Sequence, residues 1–129
     1  GSVVAYANRV KTETLGVPED LLDRCGAVSP ETAAAMARGV RDRLGSDLGL
    51  GLTGIAGPSG GSPRKPVGLV YAAAAWSGGT SIRRFHFIGG REDVKLKAAK
   101  AALKLAIDVL ESRHPSPQRR ENPQDAVRI

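Results

Sequence analysis

VGLVYAAAAWSGGTSIRRFHF, residues 67–87, is the most informative part of the sequence for the fold. Its first half, Val67–Trp76, is a nearly continuous run of small apolar residues, which is typical of a central strand covered on both faces. The alanines would also permit a helix, but Ser77–Thr80 contains a Gly-Gly pair and is typical of a hairpin turn. Ser81–Phe87 then supplies a second strand. The pattern therefore favours two strands joined by a tight turn.

Helices and a further strand are predicted on the N-terminal side of this hairpin. The clearest helix begins at Ser29-Pro30-Glu31, which combines a capping hydroxyl, a proline at the first helical position and an acid, and ends at Gly45. Residues 8–15 and 18–22 are predicted to form shorter helices. Residues 48–53 alternate leucine with glycine, which predicts a buried strand that another element approaches closely.

The structure of the two ends of the chain is predicted separately. Val3–Tyr6 is a short apolar run and is predicted to be a strand, and because a domain rarely opens with a core strand we expect further residues upstream. Residues 1–113 are predicted to form one domain, and the polar, proline-rich residues 114–129 a disordered tail. A long helix is predicted from Arg91 onward, with one apolar stripe facing the core and lysines opposite. That stripe consists of Leu96, Ala99, Leu103, Ile107 and Leu110.

Composition and charge narrow the functional classes. The 129 residues carry a formal net charge of +6, but the aromatic residues are not interleaved with the basic segments, so a solvated helix face is favoured over a nucleic-acid surface. No apolar run is long enough to span a bilayer, and no membrane association is expected. Cys25 is the single cysteine, which favours a reducing, cytoplasmic compartment. The two histidines lack partners at metal-ligand spacing, so no metal site is expected.

The segment Thr53–Gly68, between two predicted strands, is the strongest candidate binding site. Its glycines, prolines, hydroxyls and two cations predict an ordered loop that binds an anion or a phosphate, and a plain surface linker is the alternative. Neither a dinucleotide-binding fingerprint nor a Walker A motif is complete, because no helix or Gly-Lys-Ser/Thr follows the glycines. The residues expected to contact a substrate phosphate are Gly57, Gly60, Gly61, Ser62, Arg64 and Lys65.

Tyr6, Lys11 and Thr53 form a candidate catalytic set if the strands ending at Tyr6 and Thr53 lie side by side. A lysine screened from water can lose its proton at neutral pH and activate a serine hydroxyl. The tyrosine hydroxyl could orient that base, and the threonine could extend the network. The alternative is structural, with a core tyrosine whose tip is solvated and a solvated helical lysine. Spacing alone leaves both possibilities open.

Several short motifs occur in a recognisable order along the chain. VVAYANRVK (residues 3–11), LGVP (15–18), GAVS (26–29), TGIAGP (53–58) and GGSPRKPVGLVY (60–71) together resemble the C-terminal domain of the CinA competence/damage-inducible protein family. The resemblance runs from residue 1 to about residue 113. Together with the predicted elements it implies an α/β domain with a central mixed sheet flanked by helices, lacking its N-terminal helix and strand.

The resemblance also implies a function. Members of the family include the bacterial nicotinamide-nucleotide amidase, which hydrolyses nicotinamide mononucleotide to nicotinate mononucleotide and ammonia and needs no cofactor. Carried over by motif, Lys11 is the general base, Tyr6 and Thr53 support it, and the glycine-rich loop lines the nucleotide pocket. The family's nucleophilic serine lies in an upstream Glu-Ser-Cys-Thr-Gly-Gly type motif that this sequence lacks. The loop also departs from the family at Ser59 and Arg64, where glycine and an acid are common.

The expected partners follow from these inferences. The resemblance implies a small-molecule nucleotide substrate and, in the parent protein, a separate N-terminal pyrophosphatase-type domain. A different class of function is a non-catalytic CinA-like module that binds a nucleotide or another protein. Without the nucleophile segment we expect these residues to be inactive and to form homo-oligomers through an open sheet edge beside Val3–Tyr6.

Overall fold

The computed structural model describes residues 1–113, which form four helices and three strands. The predicted tail at residues 114–129 lies outside the described residues. In chain order the elements are α1 (Asn8–Glu13), α2 (Glu19–Cys25), α3 (Pro30–Leu44), β1 (Gly49–Gly54), β2 (Leu69–Trp76), β3 (Gly79–His86) and α4 (Arg91–Arg113).

The three strands form one sheet in the order β1-β2-β3. The predicted turn closes the β2–β3 hairpin, where Trp76 pairs with Gly79. The α/β class, with a sheet flanked by helices, is confirmed. The expected mixed pairing is not found among the described strands, which are all antiparallel. The physical reason is the connection between β1 and β2, which is a loop that reverses the chain and not a helical crossover.

β2 is the centre of the core and is covered on both faces, as its uninterrupted apolar sequence predicts. Ala73 and Ala75 pack into the cluster formed with α3. Ala72 and Ala74 face the opposite way and pack against the C-terminal half of α4. The domain is therefore layered, with α3 on one side of the sheet and α4 on the other.

α3 approaches the sheet closely because both surfaces are built from small residues. Ala33, Ala34 and Ala37 are buried against the sheet. On β1, a Cβ atom added at Gly49 or Gly51 would overlap the α3 backbone. The close approach predicted from the glycines of this strand is confirmed.

The opposite face of α3 is covered by the first two helices. Leu15 and Val17, which follow α1, pack against Ala35 and Met36. Because α3 is covered on two sides, the six consecutive residues 32–37 within it are all buried. The order of layers is α1 and α2, then α3, then the sheet, then α4.

The predicted core face of α4 is wrong. Apart from Leu105, the residues that pack on the sheet are alanines and valines, whereas the predicted stripe faces outward, with its leucine and isoleucine side chains 46–62% exposed. The alanine-rich β2 offers a shallow surface, so small side chains on α4 allow the two backbones to approach. The buried face consists of Val94, Ala98, Ala102, Leu105 and Val109.

Residues 1–6 do not form the predicted strand. Val3 and Ala5 pack against the cluster around α1 and α2, whereas Val4 and Tyr6 are exposed. The alternation is that of an extended chain. No strand within residues 1–113 lies beside it to take up its backbone hydrogen bonds, and it is held by side-chain packing and by a hydrogen bond from the Lys11 side chain to the Ala5 carbonyl.

Candidate functional site

The connection between α2 and α3 joins three parts of the candidate site. The consecutive carbonyl groups of residues 25–27, at the end of α2 and the start of the connection, accept hydrogen bonds from the nearby Ser29 hydroxyl at 3.2 Å and from three more distant side chains. The more distant donors are Lys65 Nζ at 2.8 Å, Thr32 Oγ1 at 2.7 Å and Thr53 Oγ1 at 2.6 Å. The glycine-rich loop, α3 and β1 are therefore held to the same short segment.

A groove of about 460 Å³ lies at this junction. It contains three cations, Arg24, Arg64 and Lys65, and one acid, Glu31. The beginning of α3 also borders it, and there Ser29 caps the helix by accepting a hydrogen bond from the Thr32 amide at 3.1 Å. The excess of positive charge makes the groove suited to an anion. Its lining residues are Arg24, Cys25, Val28, Ser29, Pro30, Glu31, Ser62, Arg64, Lys65 and Tyr71.

The glycine-rich loop is ordered by hydrogen bonds at its base and at its tip. At the base, the Gly68 amide donates to the Ile55 carbonyl at 2.7 Å. At the tip, the Ser62 amide donates to the Lys65 carbonyl at 2.9 Å, and the Lys65 amide donates back to Ser62 Oγ at 3.0 Å. This turn places Arg64 and Lys65 at the groove.

The glycines of the loop shape it and do not themselves line the groove. Gly57 and Gly60 have φ of 84° and 93°, a backbone conformation that favours glycine. A Cβ atom on Gly61 would lie 2.7 Å from the Val67 amide nitrogen. Of the six predicted phosphate-contacting residues, the structure brings Ser62, Arg64 and Lys65 to the groove.

Lys11 is buried, and it is the one charged residue of which this is true within residues 1–113. Its Nζ donates a hydrogen bond to the Ala5 carbonyl oxygen at 2.8 Å. Burial lowers the pKa of the Lys11 amine, because desolvation disfavours its charged form. The neutral amine, which alone can accept a proton, is thus favoured relative to that of an exposed lysine.

The three predicted catalytic residues are not joined to one another by hydrogen bonds. The expected pairing of strands ending at Tyr6 and Thr53 is wrong, since Tyr6 lies in a non-strand segment and is 90% exposed. Thr53 is buried, and its hydroxyl is directed to the Ala27 carbonyl. The roles assigned to these residues remain predictions.

Two arginines near the site were missed by sequence reasoning. Arg24 lines the groove, and Arg91 Nη1 donates to the Gly57 carbonyl at 3.0 Å, tying the loop to the start of α4. The second contact joins residues 34 positions apart, so no local pattern signals it. Arg24 could have been suspected from its place in the last turn before the motif at residues 26–29.

Comparison with known proteins identifies the family. Residues 1–110 match the model of the CinA C-terminal domain. The chain belongs to the CinA family. It is 52% identical over 105 residues to a competence-damage inducible protein of Moorella thermoacetica, and 54% identical over 101 residues to a CinA-like protein of Geotalea daltonii. These matches cover 81% and 78% of the chain but 25% and 24% of the two relatives, so it spans about a quarter of their length.

Solved CinA structures have the same fold. The competence/damage inducible protein CihA of Agrobacterium tumefaciens superposes with a TM-score of 0.79 at 37% identity, covering 81% of this chain and 65% of that one. A CinA superfamily protein of Escherichia coli gives a TM-score of 0.78 at 33% identity, covering 82% and 62%. Within residues 1–113, no helix is both long enough and apolar enough to cross a membrane.

Proposed function

We propose that this CinA domain provides the general base and the phosphate groove of an amidase that hydrolyses nicotinamide mononucleotide to nicotinate mononucleotide and ammonia. The observation that carries the proposal is the buried Lys11, whose pKa is lowered by desolvation. Burying a lysine without a carboxylate partner lowers the stability of the fold. A catalytic role for the neutral amine would account for this cost.

The amide bond would be broken in two steps. A serine hydroxyl attacks the carboxamide carbon while the neutral Lys11 amine takes the hydroxyl proton. The proton then passes to the departing nitrogen, ammonia leaves, and water hydrolyses the resulting ester to release the acid. The Ala5 carbonyl holds the Lys11 amine, whereas the orienting role of Tyr6, which is 90% exposed, stays a prediction. The serine would come from the upstream motif of the family, since Lys11 forms no hydrogen bond with a serine in the described residues.

The groove would hold the phosphate of the nucleotide. A phosphomonoester carries a charge of about −1.5 to −2 at neutral pH. Arg24, Arg64 and Lys65 surround the groove and outnumber its single acid, Glu31. The capped start of α3 adds a positive helix end to the same surface.

The test uses a chain that contains the upstream motif, joined from the Moorella relative to these 129 residues. Ammonia release from nicotinamide mononucleotide is compared between the parent, Lys11→Arg and the exposed control Lys95→Arg. A guanidinium cannot act as a base at neutral pH, so Lys11→Arg should lose at least about 100-fold in rate while the control stays within about twofold. Near-normal turnover by Lys11→Arg would remove Lys11 from the mechanism.

A non-catalytic binding module is the second candidate. The groove is formed by described residues, whereas the family's nucleophile motif is not part of this sequence, and this favours binding without turnover for the isolated chain. Calorimetry with nicotinamide mononucleotide distinguishes the two. Binding by the extended chain without ammonia release supports the module, and binding with release supports the amidase.

The oligomeric state and the location of the protein complete the proposal. The outer edge of β1 has no partner strand within residues 1–113, so a second copy could pair there to give a homo-oligomer. Sedimentation velocity of the 129-residue chain tests this, since a monomer at high concentration would contradict it. A nucleotide-recycling enzyme would act in the bacterial cytoplasm.

A further inference from the structure

α4 has apolar residues on two opposite faces, and within residues 1–113 only one of them is covered. The inner face packs on the sheet. The opposite face carries Leu96, Leu103 and Leu110 at intervals of seven residues, with Ile107 between the last two, and all are 46–62% exposed. We call these four residues the outer stripe. Seven-residue spacing of apolar residues is the pattern by which one helix packs along another.

The rim of the outer stripe is strongly basic in its first half. Residues 95–104 contain four lysines and no acid. At 100° per residue, Lys100 and Lys104 lie on one side of the stripe and Lys95 on the other. Lys95 pairs with Glu92 and Lys104 with Asp108, both at the helix surface. Lys100 forms no salt bridge within residues 1–113, so a polypeptide that covers the stripe would be favoured if it carried carboxylates on its flanks, next to Lys100 first of all.

A second copy of α4 does not meet this requirement. In a symmetric antiparallel pair centred on Leu103, Lys100 of one copy would lie opposite Ala106 of the other and within one helical turn of its Lys104, on the same side of the contact. In a parallel pair, the lysines of residues 95–104 would again lie beside one another. Like charges at such positions oppose association, so the charge pattern selects against self-pairing on this face.

We propose that the outer stripe binds an amphipathic helix with its own apolar seven-residue repeat and with Asp and Glu on its flanks. We place this helix among the residues that the longer relatives have in addition to the part matched by this chain. The same fold in the Agrobacterium and Escherichia coli proteins is accompanied by further residues, because this chain covers 65% and 62% of those chains. The inference is independent of the amidase proposal.

The first experiment uses synthetic helices as probes. Two labelled peptides carry the same leucine repeat, one flanked by glutamate and one by lysine, and fluorescence anisotropy measures their binding to the 129-residue chain. The glutamate peptide should bind at least about tenfold more tightly, and Lys100→Glu should reverse the preference. Equal binding of both peptides, or binding of neither, would overturn the proposal.

The second experiment tests where the helix comes from. In a Cys25→Ser background, Leu103→Cys is treated with a maleimide in the 129-residue chain, and a cysteine at the aligned position is treated in the full Agrobacterium protein. Ser77→Cys, in the exposed β2–β3 turn, is the matched control. Labelling should be at least about tenfold slower in the longer protein at the Leu103 position only. Equal labelling rates would refute the placement of the helix in the same polypeptide. If the 129-residue chain forms a dimer that Leu103→Glu abolishes, the outer stripe binds a second copy of the chain instead.

Discussion

Replacing Thr53 with valine should destabilise the domain, because this residue anchors the α2–α3 connection to the sheet. Its Oγ1 donates to the Ala27 carbonyl at 2.6 Å, and the residue is only 9% exposed. Valine has nearly the same shape but no hydroxyl, so Thr53→Val leaves the carbonyl without this donor and creates no cavity. The expected cost is about 1–3 kcal/mol, and each kcal/mol lowers the Tm of a domain of this size by about 4–8 °C.

The matched control is Thr12→Val. The Thr12 hydroxyl also donates to a backbone carbonyl, that of Asn8 at 3.1 Å, but at the solvent-exposed surface of α1. Water can replace this bond, so the change should be within about 0.5 kcal/mol. Urea unfolding of both variants measures the difference. Equal stabilities would refute the anchoring role, and a loss of turnover in the extended enzyme without a loss of stability would favour the catalytic role predicted for Thr53.

Three further predictions address the groove, the base and the core. Lys65→Ala should weaken binding of nicotinamide mononucleotide about tenfold in calorimetry, and an effect no larger than that of the exposed control Lys100→Ala would contradict the phosphate assignment. Burial lowers the pKa of Lys11, so the protonated amine destabilises the folded state. The stability of the wild type relative to Lys11→Met should therefore rise as the pH increases from the lowered pKa towards 10.5, because the folded protein loses this proton before the unfolded chain does. Urea unfolding near pH 7 and near pH 10 checks this, and an unchanged difference would count against it. Gly51→Ala should cost about 1–3 kcal/mol by overpacking against α3, whereas Gly90→Ala has room, and similar melting temperatures would contradict this packing.

Elements with strong local signals could be predicted from the sequence. The β2–β3 hairpin follows from its apolar run and its Gly-Gly turn, and the start of α3 follows from the Ser29 cap and Pro30. The buried face of α4 could not be predicted in this way. Hydrophobicity favours leucine along the whole core face, but the side of α4 that meets the sheet combines one leucine, Leu105, with alanines and valines. Which side of the helix meets the sheet depends on residues far away in the chain.

Only part of the candidate site could be predicted from the sequence, because its other contacts also join residues that are far apart in the chain. Arg64 and Lys65 reach the groove together with Ser62, because a local turn between Ser62 and Lys65 positions them. Thr53 instead contacts Ala27, 26 residues away, and such a contact depends on how layers stack. Patterns of a few residues contain no information about that stacking.

The layer of alanine and glycine between α3 and the sheet has a further consequence. Alanine and glycine have no side-chain torsion angles, so ordering this contact freezes no rotamers and costs almost no side-chain entropy. The height of α3 above β1 is fixed by backbone atoms in direct contact. The start of α3, which borders the groove, therefore rests on a rigid layer, and if an anion binds there as proposed, the Arg64 and Lys65 side chains are expected to rearrange while the helix end stays in place.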